Sequence, residues 1–273
     1  MKQPCDLHTH TTASDGQYRP AQAAAMAKRA GIAVLAVTDH DTIGGVEEAA
    51  RAGREQGLTV LRGVELGAKE NRYLHILGLN LRAGCPPMEA LCGKLRQSRE
   101  ERKYRILAFL KEKGVEIPLE EVEELAAGGV VARPHFARVM LRHGYVSTTE
   151  EAFARYLDTD EYQRIERWKA GSEECIDVIH RSGGKAVLAH PYQLGLSPQE
   201  LERAVARLKD AGLDGIECYY PRHTPEMTEQ YLGLAARYGL HVTGGSDFHG
   251  EAVHPDMPLA PTLLEIDWLL ASH

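Results

Sequence analysis

Seven short apolar runs, at residues 4–8, 32–38, 58–64, 73–79, 185–190, 214–218 and 241–245, alternate with amphipathic stretches at 20–30, 44–56, 172–182, 198–211 and 225–238. This alternation restricts the fold more than any other feature. Strands separated by helices pair in parallel, because each crossover helix returns the chain to the same end of the sheet. Seven such strands suit a closed or nearly closed barrel. The punctuation agrees: the 20–30 helix opens at Pro20, a favoured first-turn position, and stops at Gly31. The 172–182 helix is read as capped by Ser172 and ends before Gly183 and Gly184. A chain of 273 residues with 43% apolar content can fill one large α/β core plus an insert. Residues 86–169 supply that insert. They show no convincing strand and read as several helices between the fourth and fifth strands, expected beside the barrel mouth and covering the substrate. The domain reading is therefore a barrel of residues 1–85 and 170–273 with a helical insert at 86–169.

Chemistry-bearing residues fall at one place in each unit. His8 and His10 close the first strand, His40 follows the second and Glu65 the third; His190 follows the fifth, and Asp247 and His249 the seventh. In barrels, the loops after the strands converge on one mouth, so residues far apart in sequence meet there. His-x-His sets two imidazoles on one side of an extended chain, since side chains alternate with period two. Asp247 and His249 repeat that spacing. Imidazole and carboxylate together suit divalent ions such as Zn, Mn or Fe, and a carboxylate such as Glu65 can bridge two of them. Taken singly, several of these residues have plainer readings: Asp39 bonding backbone at a strand end, His75 as a satisfied core histidine, His190 as a turn residue before Pro191. Taken together, six of the thirteen histidines lie at or beside strand ends with carboxylates among them, and a metal-dependent hydrolase is the reading.

The net charge of −7 argues against a protein that coats nucleic acid through a broad basic surface. Five cysteines, none in a C-x-x-C pair, do not form a disulfide framework; Cys5 and Cys218 lie in strand-like runs and read as packing residues. The N-terminus has no charged-then-apolar leader, and no run approaches the roughly 18 apolar residues of a membrane span. A cytoplasmic, reduced protein without membrane contact is expected. No obligate protein partner is marked.

The motifs D-L-H-T-H-T-T-A-S-D-G, A-V-T-D-H-D-T-I-G-G, A-V-L-A-H-P and G-G-S-D-F-H-G resemble, in combination and order, the PHP superfamily, named for polymerase and histidinol phosphatase. The resemblance covers essentially the whole chain. Within it, R-E-E-R at 99–102 and R-P-H-F-A-R at 133–138 are similar to the insert of the RNase AM and nucleoside 3′,5′-bisphosphate phosphatase branch. The resemblance implies a distorted (β/α)7 barrel holding two to three divalent ions (Mn, Fe or Zn). By position it implies one ion on His8, His10, Glu65 and Asp247, a second on Glu65, His75 and His190, and a third on Asp15, His40 and His249. One departure stands out: the bisphosphatase branch follows its A-H-P motif with G-R-Y, where this chain reads Pro191-Tyr192-Gln193-Leu194.

The activity implied is hydrolysis of a small phosphate ester, either a nucleotide-type phosphomonoester such as a nucleoside 3′,5′-bisphosphate or a cyclic phosphodiester. A hydroxide bridging the ions would attack phosphorus in line, with Glu65 the essential bridging ligand. Arg133 and His135 are the expected phosphate contacts, through the family match and because an arginine fork fits phosphate oxygens. Arg222 and His223 follow the sixth strand and are expected at the substrate; His135 and His223 are the candidate general acids. The locally basic stretch 94–113 reads as a solvated helix face, or alternatively gives Arg99 or Arg102 a phosphate role. The alternative readings are a 5′–3′ exoribonuclease on short RNA, a histidinol-phosphate phosphatase and, in another class, a non-catalytic metal-binding module. The exoribonuclease needs aromatic stacking platforms, for which Tyr145, Tyr156, Tyr162 and Trp168 are the candidates.

Overall fold

The computed structural model describes residues 1–126, 131–165 and 167–271. In chain order these form β1 (Lys2–Asp6), α1 (Pro20–Arg29), β2 (Val34–Val37), α2 (Val46–Gln56), β3 (Thr59–Arg62), β4 (Val64–Gly67), β5 (His75–Leu79) and α3 (Pro86–Glu112). There follow α4 (Leu119–Leu125), α5 (Arg133–Arg142), α6 (Thr149–Ala152), a π-turn at Phe153–Leu157 and α7 (Asp160–Gln163). The chain returns through α8 (Ser172–Arg181), β6 (Lys185–Leu188), a 3₁₀ turn at Pro191–Leu194, α9 (Pro198–Asp210), β7 (Gly215–Tyr219), α10 (Pro225–Tyr238), β8 (His241–Gly244), β9 (Thr262–Glu265) and α11 (Asp267–Leu270). Two compact units result, Met1–Cys92 with Lys169–His273, and Gly93–Trp168. The division falls inside α3, several residues after the expected boundary at 86, because the first turns of α3 pack with the larger unit.

In the larger unit the strands form two sheets, ordered β3-β2-β1-β9 and β4-β5-β6-β7-β8. Parallel pairing holds for β1/β2, β2/β3, β6/β7 and β7/β8, whereas β1/β9, β4/β5 and β5/β6 are antiparallel. The expectation of parallel pairing throughout is corrected for a physical reason. The connection 68–74 is too short for a crossover, which needs about a dozen residues, so β5 returns against β4. The run read as one strand at 58–64 is two elements that part at Gly63. A Cβ there would sit 2.8 Å from the Val37 carbonyl oxygen of the neighbouring β2, so only glycine lets the chain leave β3 and enter the second sheet. β9 has no preceding helix and buries chiefly Leu264, which hid it from the periodicity.

The sheets meet along two seams. At one, Thr9 bridges to Phe248, and the backbone N–H groups of Leu7 and His10 donate to Gly244 O and Phe248 O at 3.2 and 2.9 Å. At the other, His40 bridges to Glu65, with Glu65 N–H donating to Asp39 O and Asp41 N–H to Glu65 O at 3.2 and 2.9 Å. Inside, Cys5, Leu7, Val34, Ala36, Leu77 and Val187 form a core fed by both sheets, while Leu35 and Val37 point the other way against Ala24, Ala27 and Ala49 of α1 and α2. Both faces of β2 are therefore covered, as a parallel strand under helices requires. Ser172 is the first residue of α8 rather than its cap. Gly171 is the cap, and the Glu70 carboxylate accepts the Ser172 N–H at 2.9 Å and the hydroxyl at 3.1 Å.

Among its described residues the smaller unit contains helices and no strand. Its core gathers Ile106, Leu110, Val122, Phe136, Met140 and Leu157. Tyr162 is 2% exposed and belongs to this core, and Tyr145 and Tyr156 pack against it. No helix of the described residues is long and apolar enough to cross a membrane.

Candidate metal centre

The chain between His8 and His10 is clamped from the far side. Leu7 enters the core, and the Thr9 hydroxyl donates to Ala36 O at 2.7 Å while Thr9 N–H donates to the Thr38 hydroxyl. Period-two alternation then sends both imidazoles to the opposite side. The end of β8 presses on this point as glycine alone can, since a Cβ on Gly245 would lie 2.3 Å from His8 Cβ.

Glu65, wholly buried, is the hub. Its Oε1 lies 2.7 Å from His75 Nδ1 and 3.0 Å from His190 Nε2; its Oε2 lies 3.4 Å from His8 Nε2, 3.2 Å from His10 Nε2 and 2.9 Å from His40 Nδ1. Asp247 Oδ1 is 3.3 Å from His8 Nε2 and 3.1 Å from His10 Nε2. Asp15 approaches His249 Nε2 at 3.4 Å, His10 Nδ1 at 3.8 Å and His40 Nε2 at 3.9 Å. Three groups have ligand atoms within 4.8 Å of one another: His8, His10, Glu65 and Asp247; His40, Glu65 and His75; and His10, Asp15, His40 and His249. The first coincides with the first expected set. The second contains His40 in place of His190, although His190 Nε2 is also 3.4 Å from His75 Nδ1. The third adds His10 to the expected trio.

The charges are strongly coupled. Burial alone would raise the Glu65 carboxyl, but His40, His75 and His8 hold it well below the carboxylate range. Asp247 and Asp15 are lowered in the same way against burial, chiefly by His8 and by His40 respectively. Burial opposes charging His8 and His10, yet the surrounding carboxylates push His8 well above the imidazole range and His10 to about 10. His75 goes the other way, down to about 4, because burial and the neighbouring His190 and His40 outweigh Glu65. Buried polar atoms without a hydrogen-bond partner include His8 Nε2, both ring nitrogens of His10, Glu65 Oε2 and His190 Nδ1. Orphaned imidazole nitrogens and a carboxylate oxygen, converging at these distances, are the donor set of a divalent cation. The residues present fit such a group. His190 and Asp247 also carry positive φ, +25° and +51°, a strain of about 1–3 kcal/mol per residue that persists only where the surroundings impose it.

The remaining sequence candidates lie as follows. Asp39 accepts from Thr11 N–H at 2.7 Å, Thr11 Oγ at 2.8 Å and Ser14 Oγ at 2.6 Å; it anchors the loop that delivers Asp15. Arg222 spends its guanidinium on Asp256 at 3.0–3.2 Å. His223 Nδ1 donates to Cys218 O at 3.0 Å, which leaves the lone pair on a buried, unpartnered Nε2, and burial lowers its pKa. At neutral pH His223 therefore offers an acceptor and not a proton. His135 Nδ1 accepts the Ala132 N–H at 3.0 Å, closing the first turn of α5, so its neutral form keeps a donor at Nε2. Within the smaller unit a pocket of about 130 Å³ is lined by Arg99, Arg102, Lys103, Arg133, Tyr162 and Arg167, among others. Lys103 pairs there with Glu100 and Glu123, and Arg133 with Asp158 at 2.5 Å. Two residues at the centre escaped the sequence reading. The Glu217 carboxylate faces His8 Nδ1 and the His190 N–H, and the Tyr220 hydroxyl donates to Asp247 Oδ2 at 2.9 Å. The available signal was a glutamate set between Ile216 and Cys218 in a strand-like run.

Six histidines and three carboxylates at converging strand ends define a metal-type centre on a mixed α/β scaffold. Residues 6–236 match the PHP domain, and the chain belongs to that family. It is 36% identical to the Escherichia coli 5′-3′ exoribonuclease Rnm over 89% of this chain and 84% of that protein. It is 32% identical to a 3′,5′-nucleoside bisphosphate phosphatase of Chromobacterium violaceum, over 89% and 86% of the two chains. A phosphoribosyl 1,2-cyclic phosphate 1,2-diphosphodiesterase of Eggerthella lenta is 34% identical over 90% and 94%. Among solved structures, an amidohydrolase from C. violaceum with bound sulfate and no metal superposes with a TM-score of 0.82 at 30% identity, over 96% of this chain and 92% of that one.

Proposed function

We propose that this protein is a metal-dependent phosphoesterase acting on small, nucleotide-type phosphate esters. The observation that carries the reading is Glu65, a buried carboxylate ringed by five imidazoles within 3.4 Å, with unpartnered nitrogens aimed at it. On this reading His8, His10, Glu65 and Asp247 hold one divalent ion, Glu65 and His75 with His190 or His40 a second, and Asp15, His40 and His249, with His10 beside them, a third. The two sheets are the two arcs of the distorted (β/α)7 barrel, joined at the Thr9–Phe248 and His40–Glu65 bridges. Mn, Fe and Zn all suit these donors. When bound, such ions lower the pKa of a coordinated water from 15.7 toward about 7 and neutralise charge on phosphoryl oxygens.

The chain's own residues do the rest. Glu65 orders five imidazoles around one point and keeps their lone pairs converging. Asp39, by fixing residues 11–14, sets Asp15 at the edge of the cluster. His223, its Nδ1 tied to Cys218 O and its Nε2 buried, is assigned no direct contact with substrate. The cationic pocket of the helical unit, lined by Arg99, Arg102 and Arg133, suits a phosphate oxyanion, with Arg133 already paired to Asp158 and Arg102 Nε donating to Ile165 O at 2.8 Å. His135 is proposed as a phosphate contact and general acid on the resemblance of R-P-H-F-A-R at 133–138 to the family insert.

A 5′–3′ exoribonuclease is the second reading, favoured by the 36% identity to the E. coli enzyme of that name. Burial of Tyr162 removes one of its stacking platforms. The test is phosphate release by Mn-supplemented protein from nucleoside 3′,5′-bisphosphates, monophosphates and cyclic phosphodiesters, beside shortening of a 5′-phosphorylated RNA. Preference for one small ester supports the leading reading, and stepwise RNA shortening with no small ester cleaved supports the second. Glu65→Gln should lower turnover at least about 100-fold, roughly 2.7 kcal/mol of barrier. Wild-type rates with full metal content in that variant would sink the assignment.

A further inference from the structure

β7 is a central strand of the second sheet, yet it supplies none of the nine candidate ligands. It carries Glu217 instead, fully buried between β6 and β8. One oxygen lies 3.2 Å from His8 Nδ1, and the other accepts the backbone N–H of His190 at 2.7 Å. The opposite nitrogen of His8, Nε2, faces Glu65 and Asp247. A carboxylate on Nδ1 takes that proton as a hydrogen bond and leaves the lone pair on Nε2. The imidazole is thereby fixed in tautomer and in ring orientation, the arrangement that raises ligand basicity in carboxylate–histidine–metal triads.

The second contact acts on backbone. His190 has φ +25° and ψ 63°, an unfavourable conformation for a side-chain-bearing residue, and its Nε2 lies 3.0 Å from Glu65. A buried N–H in a strained turn needs an acceptor, because leaving it unpaired costs as much as a lost hydrogen bond. Glu217 is the acceptor. One side chain therefore governs two candidate ligands from different strands, one through its ring and one through its main chain.

We infer that Glu217 is a positioning residue of the metal centre, aligning His8 by its Nδ1–H and His190 by its backbone N–H without itself touching an ion. The inference rests on the metal-centre reading above. Glu217→Gln separates the two functions, since a carboxamide keeps one acceptor oxygen but turns an NH2 toward the other donor, with no change in volume.

The experiment is Mn(II) titration of metal-stripped, full-length wild type, Glu217→Gln and Glu65→Gln, with free Mn followed by EPR and turnover measured at saturating Mn. The expected result is an unchanged number of sites in Glu217→Gln, with affinity weakened about 10–100-fold, an altered bound-Mn line shape, and kcat reduced at near-constant KM. Wild-type affinity and line shape in Glu217→Gln overturn the inference. So does outright loss of one site that Glu217→Asp restores, which would make Glu217 a ligand. Absence of Mn binding in the wild type would instead overturn the metal reading itself. Should Glu217→Gln not fold, Glu217→Asp serves alone: it keeps the charge but withdraws both oxygens, so the same affinity loss supports the inference and wild-type affinity overturns it.

Discussion

Asp39 sits beside His40 and bonds backbone past its strand end, as its position in the sequence suggests, a task with a measurable signature. Its two oxygens accept three hydrogen bonds at 2.6–2.8 Å, from Thr11 N–H, Thr11 Oγ and Ser14 Oγ, all of them buried. Hydrogen bonds to a charged acceptor contribute about 1.5–3 kcal/mol each, and a stranded buried donor costs about 1–3 kcal/mol. Asp39→Ala strands a backbone donor outright, while the two hydroxyls can rotate toward other partners. A loss of about 3–5 kcal/mol follows, and at about 2–4 °C per kcal/mol for a unit of this size the melting temperature should fall by about 6–20 °C. Asp39→Asn is the discriminating partner. Its oxygen can still accept Thr11 N–H and Ser14 Oγ, and its NH2 can donate to a rotated Thr11 hydroxyl. It should cost about 1–2 kcal/mol, within the ordinary range for one altered hydrogen bond. Calorimetry gives the stability and elemental analysis the metal content. Asp39→Asn should keep its metal, and Asp39→Ala should lose first the ion associated with Asp15, at the end of the loop Asp39 restrains. An unchanged melting temperature in Asp39→Ala, or equal metal loss in both variants, would refute the reasoning.

Metal binding should expel protons. In the metal-free protein the carboxylates around His8 and His10 keep both imidazoles charged at pH 7, His10 up to about 10, whereas a ligand must be neutral. Affinity should therefore fall as pH falls, and calorimetric heats should scale with the buffer's ionisation enthalpy. In that same metal-free state the imidazoliums stabilise the fold below the ordinary imidazole range, and this contribution is lost as pH climbs through about 10; pH-dependent melts check the sign. Gly245→Ala drives a methyl to 2.3 Å from His8 Cβ and 2.7 Å from its backbone nitrogen. Overpacking of this kind costs about 1–3 kcal/mol, so a fall of about 2–12 °C, together with reduced metal content, is expected. Tyr220→Phe removes the donor on Asp247 Oδ2 and should weaken metal binding by roughly tenfold, the equivalent of about 1.4 kcal/mol; a Mn titration equal to wild type would show that the hydroxyl plays no part.

What could be read from the sequence was whatever leaves a periodic or positional trace. His8 and His10 show their shared side through period two, and the cluster's members declare themselves by standing at strand ends. The helices α1, α9 and α10 show their starts through Pro20, Pro198 and Pro225 in the first turn. Pairing direction left no such trace. A connection as short as 68–74 forces β4 and β5 antiparallel, and one as long as that between β5 and β6 dictates no direction at all. β4 was hidden because Gly63 divides a run, 58–64, that reads as one continuous strand-like segment. Glu217 was hidden for a related reason. Its partners, His8 and the backbone of His190, come from other strands, and nothing local to residue 217 announces them. The cap of α8 was misplaced on Ser172 because the carboxylate that completes it, Glu70, arrives from a distant loop.

Both backbone bridges between the sheets lie where ligand residues stand: Thr9 lies between His8 and His10, Phe248 between Asp247 and His249, and His40 and Glu65 pair directly. Each candidate set draws donors from both sheets. A cation there would work as a rivet through the overlap of two plates, fastening strand ends that no disulfide joins, since all five cysteines are free. Apo protein should then open along these two seams before either sheet unravels, and hydrogen exchange at Leu7, His10, Asp41 and Glu65 should slow as metal is added. Thermal resistance becomes a readout of free cation, rising as RT ln(1 + [L]/Kd), so that supply of the ion sets the working lifetime of the scaffold along with its chemistry.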